Sequence, residues 1–91
     1  MKIALKKPLN HEGTDYTIIN AEFDNLTGQD LIDATNEARA RGDQSVIIEL
    51  SKLYQAIVAA KAAKVPVDMV VAMGGKDFVA VTKAAQSFLL E

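Results

Sequence analysis

The strongest constraint in this chain is that strand-like sequence is confined to its first quarter. Lys2 to Leu5 alternates charged and apolar residues, Tyr16 to Phe23 is rich in β-branched and aromatic types, and Glu12-Gly13 between them has turn chemistry. The pattern predicts one β-hairpin over residues 1–24. Pro8 has no amide to donate, so it fits an edge or the loose end of the hairpin. A two-stranded ribbon is at best marginally stable alone, so the remainder of the chain must cover one of its faces.

That remainder reads as helix. Thr27 can cap the amide three residues on, Asp30 stands at that third position, and Leu26 can staple onto Leu31 across the cap. Leu31, Ala34, Thr35 and Ala38 follow at helical spacing, Glu37 and Arg41 make a favourable four-apart pair, and Gly42 ends the run. These signals predict a helix over 28–41. A second and longest helix starts from a cap at Asp43 or Ser45, with Ile47, Leu50, Tyr54, Ile57 and Ala60 facing a core and Glu49, Lys52, Gln55 and Lys64 facing outward. The β-branched run Val46-Ile47-Ile48 leaves a second option, a helix that begins only near Ser51. Pro66 closes this helix, Asp68 can cap a short turn through Met73, and Gly74-Gly75 breaks that turn, with Gly75 taking up an awkward backbone angle. A last helix over 76–90 buries Phe78, Val81, Thr82, Ala85, Phe88 and Leu89. The expected fold is α+β: one domain over 1–91, a hairpin followed by three to four helices over 25–91. Leu31 and Phe78 are the expected core anchors.

A chain of 91 residues supports one core. With 49% apolar and 24% charged residues it has the composition of a folded domain. It has no cysteine, which removes disulfides and sulfur-based zinc sites. The first residues lack the apolar stretch of a secretory leader, and the run Val65 to Met73 is interrupted by Pro66 and Asp68 and far too short for a bilayer. A cytoplasmic protein with no membrane segment is expected. Ten basic and twelve acidic residues give a net charge of −2, too balanced to steer the chain to a polyanion.

The materials for catalysis are sparse. His11 is the only histidine and stands beside the hairpin turn. Asp24, Asp30 and Asp33 do not form a calcium loop, because Leu26 occupies a ligand position and Asp30 has a capping role. Gly74-Gly75-Lys76-Asp77 lacks the first glycine and the final hydroxyl of a phosphate loop; Asp77 suits instead the positive end of the last helix. Asn25-Leu26-Thr27 matches a glycosylation sequon, but Thr27 is accounted for as a cap. Arg39, Arg41, Lys52, Lys61 and Lys64 would need to converge to read nucleic acid, and they are mixed with Glu49 and Gln55. No catalytic residue, metal ligand or cofactor site is assigned, and an enzyme is not expected.

Val65 to Met73 is apolar on every side of a segment about two turns long. It either plugs the core between the longer helices or offers a docking patch, a role that methionine suits.

Several segments in order resemble the tail assembly chaperones of long-tailed phages and prophages. They are Leu5-Lys6-Lys7-Pro8-Leu9 with Gly13 and Tyr16, Leu26-Thr27-Gly28-Gln29-Asp30-Leu31, Ser51-Lys52-Leu53-Tyr54-Gln55 with Ala59-Ala60-Lys61-Ala62, and Lys76-Asp77-Phe78 with Phe88-Leu89-Leu90. Met73-Gly74-Gly75 departs from the family pattern. The resemblance implies a protein that binds the tape measure protein, keeps its long helices soluble, and leaves as tail tube protein polymerises around them. Genes of the family it resembles often also yield a longer product by ribosomal frameshifting. Partner contacts are expected on Met69, Val70, Met73, Phe88, Leu89 and Leu90, since one small core cannot easily absorb both clusters. An uncovered hairpin edge would allow a homo-oligomer. The alternative function is a small helical nucleic-acid-binding regulator that uses the second helix.

Overall fold

The computed structural model describes residues 1–91. Strands β1 (Lys2–His11) and β2 (Thr14–Asn20) form an antiparallel hairpin, followed by helices α1 (Gly28–Ala40), α2 (Lys52–Ala63), α3 (Val67–Val71) and α4 (Gly75–Leu90). Single 3₁₀ turns occur at Phe23–Asn25 and Ile48–Leu50. The α+β expectation holds.

The hairpin closes as predicted at Glu12-Gly13, both residues having positive φ (52° and 82°). This two-residue geometry matches the twist of the flanking strands, and His11 pairs with Thr14. β1 is longer than its Lys2–Leu5 signature because the ladder is interrupted rather than ended. The register passes from Ala4↔Ile18 to Leu9↔Tyr16, so Leu5–Pro8 lie opposite Thr17 alone. Pro8 sits in this bulge, where no ladder amide is required. The amides of Lys6 and Lys7 leave the ladder and donate to Asp77 Oδ1 (2.7 Å) and Oδ2 (3.0 Å). Asp77 thus does more than favour a helix start: it pins the ribbon to α4. β2 ends at Asn20, before Phe23, which lies in the 3₁₀ turn. Ile19 is buried, and Ile3, Leu5, Leu9 and Tyr16 pack partly buried on the core, which places one face of the ribbon on the helices.

α1 begins with the predicted capping box. Thr27 Oγ1 accepts from the Asp30 amide (3.2 Å), and Asp30 Oδ2 accepts from the Thr27 amide (2.8 Å). The backbone bond from Thr27 holds the Asp30 carboxyl below its ordinary range. Ala34 and Ala38 are fully buried, Glu37 and Arg41 pair at 3.3 Å, and Gly42 turns the chain with φ 98°. Leu31 is only partly buried, so the anchors of this interface are the alanines.

α2 begins at Lys52, the later of the two starts considered. Ser51 is its cap, its hydroxyl accepting from the Tyr54 amide at 3.2 Å. At 12 residues it is the shortest of the three long helices, and α4, with 16, is the longest. Three side-chain assignments are corrected. Ile47 and Leu50 lie ahead of the helix and are exposed, and Gln55, expected outside, is 0% exposed. α2 is the central element: Tyr54 through Ala60 are all buried, and it packs against α1, α3, α4 and the hairpin. It ends with Lys64 in the left-handed region (φ 58°), the Val65 amide returning to the Ala60 carbonyl. The Ala62 carbonyl accepts from Glu22, stitching the exit of β2 to the helix.

Pro66 stands at the start of α3, where the expected Asp68 cap is absent and Asp68 lies inside the helix. Gly74 precedes α4 and Gly75 is its first residue; neither has positive φ, so the awkward angle assigned to Gly75 is not used. α4 buries Val81, Thr82 and Ala85; Phe78, an expected core anchor, is only partly buried, as are Phe88 and Leu89, and the Phe88 ring stacks on Phe23 at 5.4 Å.

Candidate partner-binding surface

The polar side chains singled out in the sequence have structural work. Arg39 Nη1 donates to the carbonyls of Asp43 (3.1 Å) and Ser45 (2.8 Å), Arg41 pairs with Glu37, and Lys52 Nζ donates to Thr82 Oγ1 (3.2 Å). Lys61 shares its neighbourhood with Glu37, Arg41 and Asp68. These cations are not gathered into a basic face. His11 sits half-buried at the hairpin turn, across from Thr14. No three His, Asp or Glu side chains converge as a metal-binding group.

Of the six residues expected to meet a partner, three are in the core. Met69 and Val70 on α3 and Met73 just beyond it are buried, so the apolar run Val65 to Met73 plugs the space beneath the longer helices. Its surface expression is Val71, which is exposed. The correction follows from geometry: α3 has only five residues, and a single turn wedged between α2 and α4 turns most of its circumference inward. At the other cluster, Phe88 and Leu89 are half-buried and Leu90 is exposed.

The most exposed apolar stretch is the β-branched run that the sequence leaves open between the start of a helix and a segment ahead of it. Between α1 and α2 the chain presents Val46 at 98% exposure, with Ile47 and Leu50 also more than half exposed. The segment is held from both ends. The Asp43 carboxylate accepts from the Ser45 amide at 2.9 Å and from the Ser51 hydroxyl. Hydrogen bonds from the Ser45 and Ser51 side chains, then from the Ser45 amide, hold its carboxyl at about 2. Ser51 also caps α2, so one hydroxyl couples the loop to the helix. From below, Gln55 Nε2 donates to the Glu49 carbonyl (2.9 Å) and to Gln86 Oε1 of α4 (3.1 Å). The 3₁₀ turn in this segment packs against α2 and α4. The result is an apolar tip on a fixed base: Val46, Ile47 and Leu50 are turned to solvent while Ile48 packs partly buried on the core. Its sequence signal was the cluster Asp43, Ser45 and Ser51 around a β-branched run, with polar groups that satisfy a loop instead of opening a helix.

A second open surface lies near the other end of α4. A groove of about 680 Å³ runs between β1 and the first two turns of α4, lined by Ala4, Lys6, Lys76, Val79 and Ala80. Val79 is 51% exposed there.

No helix is long and apolar enough to cross a membrane. Comparison with characterised proteins and with solved structures returns no match. Over residues 2–90 the sequence matches the family described as phage tail assembly chaperone proteins, E, or 41 or 14. With that match spanning all but the two terminal residues, the chain belongs to the phage tail assembly chaperone family.

Proposed function

We propose that this chaperone binds the tape measure protein in the host cytoplasm, keeps its long helices soluble, and gives them up as tail tube protein assembles around them. The observation that carries the reading is the fixed apolar loop. Val46, Ile47 and Leu50 are presented to solvent on a base that Asp43, Ser51 and Gln55 hold in place. A preorganised apolar surface loses little side-chain freedom on binding and suits the apolar stripe of an amphipathic helix. Leu90, exposed at the end of α4, with Phe88 and Leu89 beside it, supplies a second set of contacts. Met69, Val70 and Met73 lie in the core and touch no partner. The work is done by binding, without catalysis.

The test is co-expression of the tape measure protein with this chain and with a Val46→Ser/Ile47→Ser/Leu50→Ser variant. The wild type is expected to keep the tape measure protein in the soluble fraction and the variant to lose most of that effect while melting normally. A tape measure protein that stays insoluble in the presence of the wild type overturns the reading.

A further inference from the structure

The groove between β1 and α4 has an apolar floor and a positive rim. Ala4 on β1 and Val79 and Ala80 on α4 form the floor. Ile18, exposed and paired with Ala4 across the ribbon, extends it. Lys6 and Lys76 stand at the rim, and a hollow lined by Lys6, Lys7 and Lys76 continues the edge around the start of α4. These lysines have no acidic partner: the ion pairs of the molecule are Met1 with Glu22 and Glu37 with Arg41. The one carboxylate in the wall, Asp77, is 3% exposed, and both its oxygens accept the amides of Lys6 and Lys7. Three lysines against that one carboxylate leave the groove net positive, in a chain whose own net charge is −2.

We propose that the groove takes an amphipathic helix of a partner protein whose narrow apolar stripe is flanked by Asp and Glu. The proposal rests on the chaperone reading above and specifies the chemistry of the segment that is held. Charge complementarity selects the flanks: carboxylates on either side of the stripe would meet Lys6 and Lys76. The floor selects a helix. Ala4, Gly75 and Ala80 are small enough for a helix axis to approach to about 8–10 Å, the usual spacing of packed helices. Strand addition is disfavoured here because the freed amides of Lys6 and Lys7 are already taken by Asp77.

The test measures fluorescence anisotropy of two labelled peptides of about 18 residues, roughly 27 Å of helix, against the full chain. Both peptides carry the same leucine stripe; one is flanked by Glu and the other by Lys. The Glu-flanked peptide is expected to bind, more weakly as salt rises, and the Lys-flanked peptide to bind at least about tenfold less tightly. Lys6→Glu/Lys76→Glu should reverse that preference, and Val79→Glu should abolish binding of the Glu-flanked peptide. These positions are exposed, so melting curves should not move. Equal binding of both peptides by the wild type, or an unchanged preference in the charge-reversed variant, overturns the proposal. So does a self-associated wild type that Val79→Glu disperses, which would assign the groove to a second copy. In the co-expression assay, a tape measure protein kept soluble equally by the wild type and Val79→Glu overturns the groove and leaves the chaperone reading standing. One that is insoluble with the wild type, while the Glu-flanked peptide still binds, overturns the chaperone reading and leaves the groove.

Discussion

Residues 46–50 and 54–60 are neighbours in sequence and both are dominated by apolar side chains, yet the first exposes Val46, Ile47 and Leu50 while the second is buried throughout. The buried stretch, in α2, is rich in alanine and close to uniform in burial, because a helix surrounded by α1, α3, α4 and the hairpin has no solvent side. The exposed stretch is β-branched and is flanked by Asp43, Ser45 and Ser51, whose polar groups bond within the loop. Hydropathy alone does not separate the two. Local polar anchoring does, and it leaves the apolar side chains of the loop available for a partner.

Four measurements can break or sharpen that contrast. The largest effect is expected inside α2: Ile57 is 1% exposed, and Ile57→Ala should cost about 2–5 kcal/mol through lost burial and a residual cavity, read as a large fall in melting temperature. Next is the residue that joins the two regions. Gln55→Ala removes the donor to the Glu49 carbonyl and to Gln86, and should cost about 1–3 kcal/mol while speeding amide exchange around Ile48–Leu50. An unchanged exchange rate there would show that the loop does not depend on α2.

The third effect is one of pH. The Asp43 carboxyl titrates at about 2 in the folded protein against an ordinary 3.8. A carboxylate with a lowered folded value stabilises above its unfolded value, and that contribution disappears as pH falls through the folded one. Protection of the Ser45 amide should therefore be complete at neutral pH and fade between about pH 3.8 and 2. In Asp43→Asn this fading should be absent and the loop should be looser throughout. The smallest effect is at the tip, where Val46→Ser should change stability by no more than about 0.5 kcal/mol, because the side chain is almost wholly in solvent. A larger loss would mean that Val46 belongs to the core after all.

Much of the fold was legible because local chemistry and tertiary packing agree. The Glu12-Gly13 turn, the Thr27–Asp30 capping box, the Glu37–Arg41 pair and the burial of Val81, Thr82 and Ala85 on α4 are all present where the sequence places them. Misreadings arose where a partner distant in sequence decides. The Leu5–Pro8 bulge exists because Asp77, some seventy positions away, accepts the freed amides. Gln55 is buried because Gln86 and the Glu49 carbonyl meet it there, which no helical-wheel argument can reveal. Met69, Val70 and Met73 are absorbed by the core because α3 is wedged between longer helices. The exposed loop was hidden by its own composition: Ile47 and Leu50 continue the helical spacing of Tyr54 and Ile57 although the helix begins after them.

The central claim, that the loop holds a partner while α2 only supports it, is tested most directly by the soluble yield of the tape measure protein co-expressed with Val46→Ser/Ile47→Ser/Leu50→Ser. The account predicts a chaperone that melts like the wild type and leaves most of the tape measure protein in the pellet. Full solubility with that variant would contradict it.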